Sequence, residues 1–188
     1  GNTSFGLGHV VRCMALAEML QEDFSIRFIC RDIPKNFKKD ISETKSSIIL
    51  IEKEEDFFKM LRKDQIVVVD GYQFKENFYK QIKNKNCTTV SIQDVYPITE
   101  NVDVIINHLP CSNIEYNHPK VFIGPKYSII RKEFLKKDIR KNETINEIFI
   151  ALGGTKTHSI INKLIAILNG IGKYKYNVLT TNYNIPYI

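Results

Sequence analysis

The sequence predicts an α/β protein with a doubly wound parallel sheet, followed by the start of a second α/β domain. Short β-branched runs alternate with helical patterns over the first 135 or so residues. Residues 65–69 form a nearly continuous Ile/Val run, which is typical of a strand buried on both faces of a parallel sheet. A charged segment without apolar periodicity then precedes a further strand-turn-helix pattern. We therefore expect an N-terminal domain over 1–135, a linker over 136–146 and the first part of a second domain over 147–188.

The first helix is predicted directly after Gly6 and Gly8, which allow a tight turn because glycine lacks a Cβ and tolerates positive φ. From position 10 onward, apolar residues recur three or four positions apart, with good helix formers between them. This places His9 in the first turn and Arg12 on the same face one turn later. Because such a glycine turn normally follows a strand, we expect the natural chain to begin before residue 1.

The later elements alternate in type along the chain. In the first domain we predict strands over 25–30, 47–51, 65–69, 88–92 and 104–107, and helices over 54–63 and 75–83. The second domain should contain a strand over 147–152, a turn over 153–155, a helix over 160–168 and a strand from 177. This order of elements is typical of parallel sheets with crossover helices.

Composition indicates a soluble globular protein, with 43% hydrophobic and 26% charged residues. No apolar run approaches the roughly 20 residues of a membrane-spanning helix, and no signal peptide precedes the glycine pair. We therefore expect a cytoplasmic protein without a membrane span. Its four cysteines are far apart in sequence, which favours reduced thiols and no structural metal.

The net charge of +6 at pH 7 raises the question of a nucleic-acid partner. The lysines, however, lie in separate polar segments, and no nucleic-acid-binding motif accompanies them. We expect a solvated basic surface and no nucleic-acid partner.

The predicted helix start is a candidate anion site. The first N–H groups of a helix lack intrahelical partners and carry the positive end of its dipole, so they attract phosphate. Gly6, Gly8, His9 and Arg12 lie at or beside this position. The helix dipole disfavours imidazolium, which would leave His9 available as a base. The alternatives are a simple tight turn and a histidine that caps or packs against the helix.

Polar residues also follow two of the predicted strands. Asp70 and Tyr72 come after the Ile/Val run, and Gln93 and Asp94 follow the next strand. Because ligands bind beyond the carboxyl ends of parallel strands, we expect these residues and the start of the first helix to converge on one binding site. Taken singly, either aspartate could instead cap a loop, and the tyrosine could be a packing residue.

Six motifs, in the same order, resemble the UDP-sugar hydrolases of the pseudaminic acid pathway and their spore-coat polysaccharide relatives, a glycosyltransferase-B-like superfamily. The first is Gly1-Asn2 followed by Gly6-x-Gly8-His9-x-x-Arg12-Cys13-x-x-Leu16-Ala17. The others are Val67-Val68-Val69-Asp70-Gly71-Tyr72, Ser91-Ile92-Gln93-Asp94, Val104-Ile105-Ile106-Asn107, Gly124-Pro125-Lys126-Tyr127 with the residues up to Phe134, and Ala151-Leu152-Gly153-Gly154-Thr155. The resemblance covers nearly the whole chain.

This resemblance implies an activity: hydrolysis of a UDP-linked diacetamido-trideoxy sugar to UDP and free sugar, for nonulosonic acid or surface polysaccharide synthesis. It implies that His9 activates the water, that Tyr72 contacts the sugar, and that amides around Gly6 and Gly8 face the diphosphate. It also implies that the second domain binds the nucleotide, and that no metal or other cofactor takes part.

The glycine turn of the second domain, Gly153, Gly154 and Thr155, would close on the ligand. Lys156 follows it where the family often has aspartate, so this chain departs from the pattern there. Two other functions stay open: a glycosyltransferase of the same superfamily, and a non-catalytic binding or maturation domain.

Overall fold

The structure is a computed structural model that describes residues 7–94, 100–109, 120–135, 146–152, 158–169 and 174–179. The described residues from Gly8 to Leu135 form one compact unit. Those from 146 onward, together with Leu7, belong to a second unit. No helix in the described parts of the chain is long and apolar enough to cross a membrane.

In the first unit, helices and strands alternate up to the fourth strand, and two further strands follow. In chain order they are α1 (Gly8–Leu20), β1 (Arg27–Cys30), α2 (Lys35–Glu43), β2 (Ser47–Leu50), α3 (Glu54–Met60), β3 (Ile66–Asp70), α4 (Glu76–Lys83), β4 (Thr88–Ile92), β5 (Val104–Asn107) and β6 (Val121–Ile123). Two short 3₁₀ helices, Pro125–Tyr127 and Lys132–Leu135, follow β6.

All strand pairs of this unit are parallel. β1 pairs with β2 in one sheet, and β3, β4, β5 and β6 pair in that order in a second sheet. A parallel pair needs a crossover connection, which α2 supplies between β1 and β2 and α4 supplies between β3 and β4. The predicted α/β class with parallel sheets is confirmed. Within each sheet the carboxyl ends of the strands lie along the same edge.

A large hydrophobic cluster of the first unit lies on one face of the four-stranded sheet. Val67 and Val69 of β3 pack there with a cluster from α3, α4 and β5 that includes Phe58, Phe78 and Ile105. Burial of these apolar side chains is the main favourable term for this packing. Aromatic contacts add to it, such as the stacked rings of Phe57 and Phe78 at 5.4 Å.

The prediction that residues 65–69 are buried on both faces is wrong in this structure. The exposed fractions of Ile66 and Val68 are 52% and 37%, whereas Val67 and Val69 are buried. The reason is that the cluster from α3 and α4 packs against the face that carries Val67 and Val69 and includes neither Ile66 nor Val68. The alternating pattern is that of a half-buried strand.

Two elements were not predicted from the sequence. α2 lies in a lysine-rich segment, and its apolar residues Phe37 and Ile41 are four apart and buried. One buried pair among so many charges is a weak periodic signal. β6 has three residues, which is too short for a recognisable alternation.

The second unit is a strand-helix-strand arrangement, as predicted. It contains β7 (Glu147–Ala151), α5 (His158–Asn169) and β8 (Lys175–Leu179), and the two strands are parallel. Ile161 of α5 is buried. The predicted turn Gly153–Thr155 lies outside the described residues.

Candidate functional site

The site begins at the first turn of α1. The helix starts at Gly8, so the prediction that His9 lies in its first turn is confirmed. Residues three and four positions further on share the same helix face, which brings Arg12 and Cys13 beside His9. Gly8 has no positive φ, and among the described residues a Cβ there would meet nothing within 4 Å. Gly6 lies outside the described residues.

Asp70, the last residue of β3, is the centre of the site. Its side chain is 1% exposed, and its Oδ1 lies 2.7 Å from Nδ1 of His9. Arg12 donates from Nε to Oδ2 at 2.8 Å and from Nη2 to Oδ1, which is a bidentate pairing. The Cys13 thiol completes the set with an Sγ-to-Oδ2 distance of 3.7 Å.

Arg12 joins Asp70 to Asp94 beyond the end of β4. Its Nη1 donates to Oδ2 of Asp94 at 3.2 Å. Burial acts to lower the pKa of the Arg12 guanidinium, but hydrogen bonds and attraction from Asp70 and then Asp94 raise that pKa above its usual value. The guanidinium therefore stays charged at every ordinary pH.

The Cys13 thiol is held in its protonated form. Burial, and then the negative charge of Asp70, raises the pKa of this thiol to about 12. Near neutral pH the group is a hydrogen-bond donor and not a thiolate nucleophile. Cys13 thus supports the Asp70 carboxylate.

Tyr72 is a solvent-exposed neighbour of His9. The two rings meet edge to face with centroids 4.9 Å apart, and Tyr72 is 59% exposed. Partial burial, together with the neighbouring Asp94 carboxylate, raises the pKa of the Tyr72 hydroxyl. The hydroxyl is therefore protonated near pH 7, with the Asp94 carboxylate as its hydrogen-bond acceptor. We call the six residues His9, Arg12, Cys13, Asp70, Tyr72 and Asp94 the His9 cluster.

Gln93 does not join the His9 cluster, although the sequence predicted a shared site. It is buried, and its Nε2 donates to Oγ of Ser91 at 3.0 Å. The Ser91 hydroxyl in turn lies 2.9 Å from the Tyr79 hydroxyl of α4. Gln93 is therefore part of a buried polar group on the α4 side of the sheet.

Side-chain alternation explains this difference between neighbours. Asp70 is paired with Ile92 across the sheet, and side chains two positions apart point to the same face. Asp94 therefore shares a face with Asp70, whereas Gln93 takes the opposite face with Ser91.

The remaining predictions for this site concern the role of His9, the glycine turn of the second domain and metal binding. His9 is bonded to Asp70 and contacts the edge of Tyr72, and its role as a base stays a prediction. Gly153, Gly154 and Thr155 lie outside the described residues, and their contribution stays a prediction. Within the described ranges, no group of three or more His, Cys, Asp and Glu side chains could hold a metal ion.

Cys13 is the member of the cluster that the sequence analysis missed. The signal was present, because Cys13 is four residues after His9 and therefore on the same helix face. Its partner Asp70 is 57 residues away in sequence, and no local pattern connects the two.

The chain is 27% identical over 182 residues to the uncharacterized protein MJ1062 of Methanocaldococcus jannaschii. The alignment covers 88% of this chain and 37% of that protein, so the chain spans well under half of that relative's length. No protein-family model matches the chain, and no solved structure matches it. We therefore infer the function from the His9 cluster and from the order of the sequence motifs.

Proposed function

We propose that the chain carries the sugar-binding and catalytic side of a cytoplasmic UDP-sugar hydrolase with a doubly wound, glycosyltransferase-B-like fold. The substrate would be a UDP-linked diacetamido-trideoxy sugar, and the products UDP and the free sugar. The observation that carries the proposal is His9 in the first turn of α1, bonded to Asp70 and flanked by the exposed ring of Tyr72. The order of the motifs supports the choice of substrate class.

The reaction needs a base and a place for the leaving group. A water oxygen bonds to the anomeric carbon on the face opposite the diphosphate, with inversion. The bond from that carbon to the diphosphate oxygen breaks, and its electron pair leaves with UDP. Nε2 of His9 takes the proton from the water, because Nδ1 is engaged with Asp70.

The diphosphate is assigned to the backbone at the start of α1. Arg12 is already paired with two carboxylates, Asp70 and Asp94, so its charge is not free for a phosphate. The first N–H groups of α1 lack intrahelical partners, and a helix of 13 residues has a full dipole. No described residue lies within 4 Å of the position of a Cβ on Gly8, which would let a ligand approach the backbone closely.

Tyr72 is assigned to the sugar. Its ring is exposed beside His9, and its hydroxyl, whose proton faces Asp94, can accept a hydrogen bond from a sugar hydroxyl or an acetamido N–H. An aromatic side chain supplies apolar contact area for a deoxygenated sugar and fixes its orientation with one polar group.

The test is product analysis with the full natural protein and UDP-linked diacetamido-trideoxy hexose. We expect UDP and free hexose in equal amounts, measured by proton NMR, without added metal. Sugar transferred to an acceptor, with no free hexose, would replace the proposal by a glycosyltransferase. Binding without turnover would replace it by a non-catalytic binding domain.

A further inference from the structure

We propose that Asp70, held by Arg12, is a positioning residue that fixes the tautomer and the orientation of His9. Its catalytic consequence rests on the proposed function, whereas the tautomer itself is a property of the protein without substrate. Asp70 was expected to contact the substrate, but the structure buries its carboxylate beneath His9.

The tautomer follows from the donors and acceptors around Nδ1. Nδ1 of His9 lies 2.7 Å from Oδ1 of Asp70, and a carboxylate can only accept a hydrogen bond. The proton of a neutral His9 ring is therefore on Nδ1. Nη2 of Arg12 lies 3.3 Å from the same nitrogen and could donate to it only if Nδ1 carried no proton. That tautomer would set the Nδ1 lone pair against Oδ1 of Asp70 at 2.7 Å, and Nη2 already donates to this oxygen, so the Nδ1 proton is favoured. The lone pair is left on Nε2.

The orientation of the His9 ring is fixed because hydrogen bonds hold the Asp70 carboxylate in place. Oδ1 accepts from His9 and Arg12, and Oδ2 accepts from Arg12 and Cys13. A carboxylate has about four lone-pair sites, so these four donors fill it. At 1% exposure the carboxylate has no route to a substrate, and the Arg12 fork keeps it from turning. Asp70 thus acts through His9 and not on the ligand.

Asparagine at position 70 distinguishes positioning from bulk packing because it keeps the size of aspartate. Arg12 donates to both oxygens of Asp70, so in either orientation the amide N–H₂ of Asn meets one Arg12 donor. The amide oxygen at the Oδ2 position keeps the bonds from Arg12 Nε and Cys13, and His9 can meet the N–H₂ at the Oδ1 position by moving its own proton. The ring would then place its proton on Nε2 and lose the lone pair that takes the water proton. In serine proteases the equivalent change reverses the tautomer and lowers turnover by about 10⁴-fold.

The experiment is long-range ¹⁵N–¹H NMR of the histidine rings at about pH 8.5, where an ordinary histidine is neutral. His9→Gln identifies the His9 signals in the full natural protein. We expect protonated Nδ1 and unprotonated Nε2 in the wild type, and the reverse in Asp70→Asn. Asp94→Asn is the matched control, because it removes a carboxylate bound to Arg12 but not to His9; its His9 tautomer should match the wild type.

A wild-type ring with its proton on Nε2 would overturn the proposal, and that measurement needs His9→Gln for the assignment of the signals but does not need Asp70→Asn to fold. An Asp70→Asn protein that folds and keeps the wild-type tautomer would also overturn it. The kinetic readout is kcat for UDP release, which we expect to fall by about 10²–10⁴-fold in Asp70→Asn with KM nearly unchanged. If the tautomers are as expected but the protein releases no UDP, the proposed hydrolase function is wrong and the positioning role of Asp70 still holds.

Discussion

The sequence and the structure indicate different roles for Arg12. A basic residue one turn after a helix start favours a role in binding phosphate. In the structure three of its nitrogens donate to Asp70 and Asp94. A planar guanidinium suits this arrangement, because it can hold one carboxylate with two bonds and reach a second carboxylate with a third. Arg12 therefore connects the ends of two strands and holds Asp70 beneath His9.

At the same scale, His9→Gln tests the base. We expect UDP release at saturating substrate to fall by about 10²–10⁴-fold, which is the usual contribution of a positioned base. Substrate affinity, measured separately by calorimetry, should change little because the amides at the start of α1 remain. Near-normal turnover with weakened binding would make His9 a ligand of the substrate and not the base.

Cys13 provides a test that needs no substrate. Burial and the charge of Asp70 raise the pKa of its thiol from an ordinary 9.0 to about 12. At about pH 8 this lowers the thiolate fraction by roughly a thousandfold, and alkylation requires the thiolate. We expect iodoacetamide to leave Cys13 unmodified in the folded protein, as followed by peptide mass spectrometry. Unfolding in urea is the control and should restore labelling; rapid labelling without urea would contradict the described cluster.

At the scale of elements, α1 combines two functions that require different residues. Its C-terminal part contributes packing through Ala15 and Ala17, which are buried. Its first turn presents His9 and an open glycine to the site. A glycine in a helix costs stability relative to alanine, so we interpret Gly8 as a residue kept for access to the backbone.

Gly8→Ala tests that interpretation. A Cβ there meets no atom of the described residues within 4 Å and needs no unusual φ, so the variant should fold and gain up to about 1 kcal/mol in the free energy of unfolding. We expect weaker binding of the UDP-sugar by calorimetry, because the methyl group occupies the space above the helix start. Met19→Ala, at an exposed position near the other end of α1, is the control and should bind normally. Unchanged affinity in Gly8→Ala would place the diphosphate elsewhere.

α2 provides a test of the packing that the sequence analysis missed. Ile41 has an exposed fraction of 0%, so Ile41→Ala removes fully buried methyl groups. We expect a loss of about 2–5 kcal/mol in the free energy of unfolding, measured with urea. Lys39→Ala, at an exposed position of the same helix, should change it by less than about 0.5 kcal/mol. Equal effects of the two variants would show that α2 does not pack as described.

At the scale of the whole molecule, the basic residues that give the net positive charge lie in separate segments of the sequence. The net charge of +6 gives the protein a general attraction for polyanions. In the His9 cluster, by contrast, two carboxylates surround one guanidinium, so the site itself is not basic. The excess positive charge therefore has no part in the proposed chemistry.

We expect weak nucleic-acid binding for this reason. Fluorescence anisotropy with labelled duplex DNA and single-stranded RNA at about 0.15 M salt should give dissociation constants of roughly 10⁻⁶ M or weaker, without sequence preference. Raising the salt concentration should weaken this binding further. Sequence-specific affinity in the nanomolar range would contradict the proposed function.

The sequence by itself determined the α/β class, the order of most elements and the helix start at His9. These features depend on neighbouring residues: β-branched runs, helical spacing and glycines are read over a few positions. It also identified Asp70, Tyr72 and Asp94 as strand-end residues, because ligands of parallel sheets lie at strand ends. The lysine-rich helix α2 and the three-residue strand β6 were missed because their local signals are short.

Only the tertiary structure decided what each strand-end residue does. His9 and Asp70 are 61 positions apart in sequence, and their 2.7 Å contact depends on how α1 packs against the end of β3. The pairing of Asp70 with Ile92 decided that Asp94 joins the cluster while Gln93 turns to the α4 side. A shift of one residue in that register would exchange the two faces. Burial then assigned Asp70 to support His9, because a carboxylate with four donors and no exposed surface cannot reach a ligand.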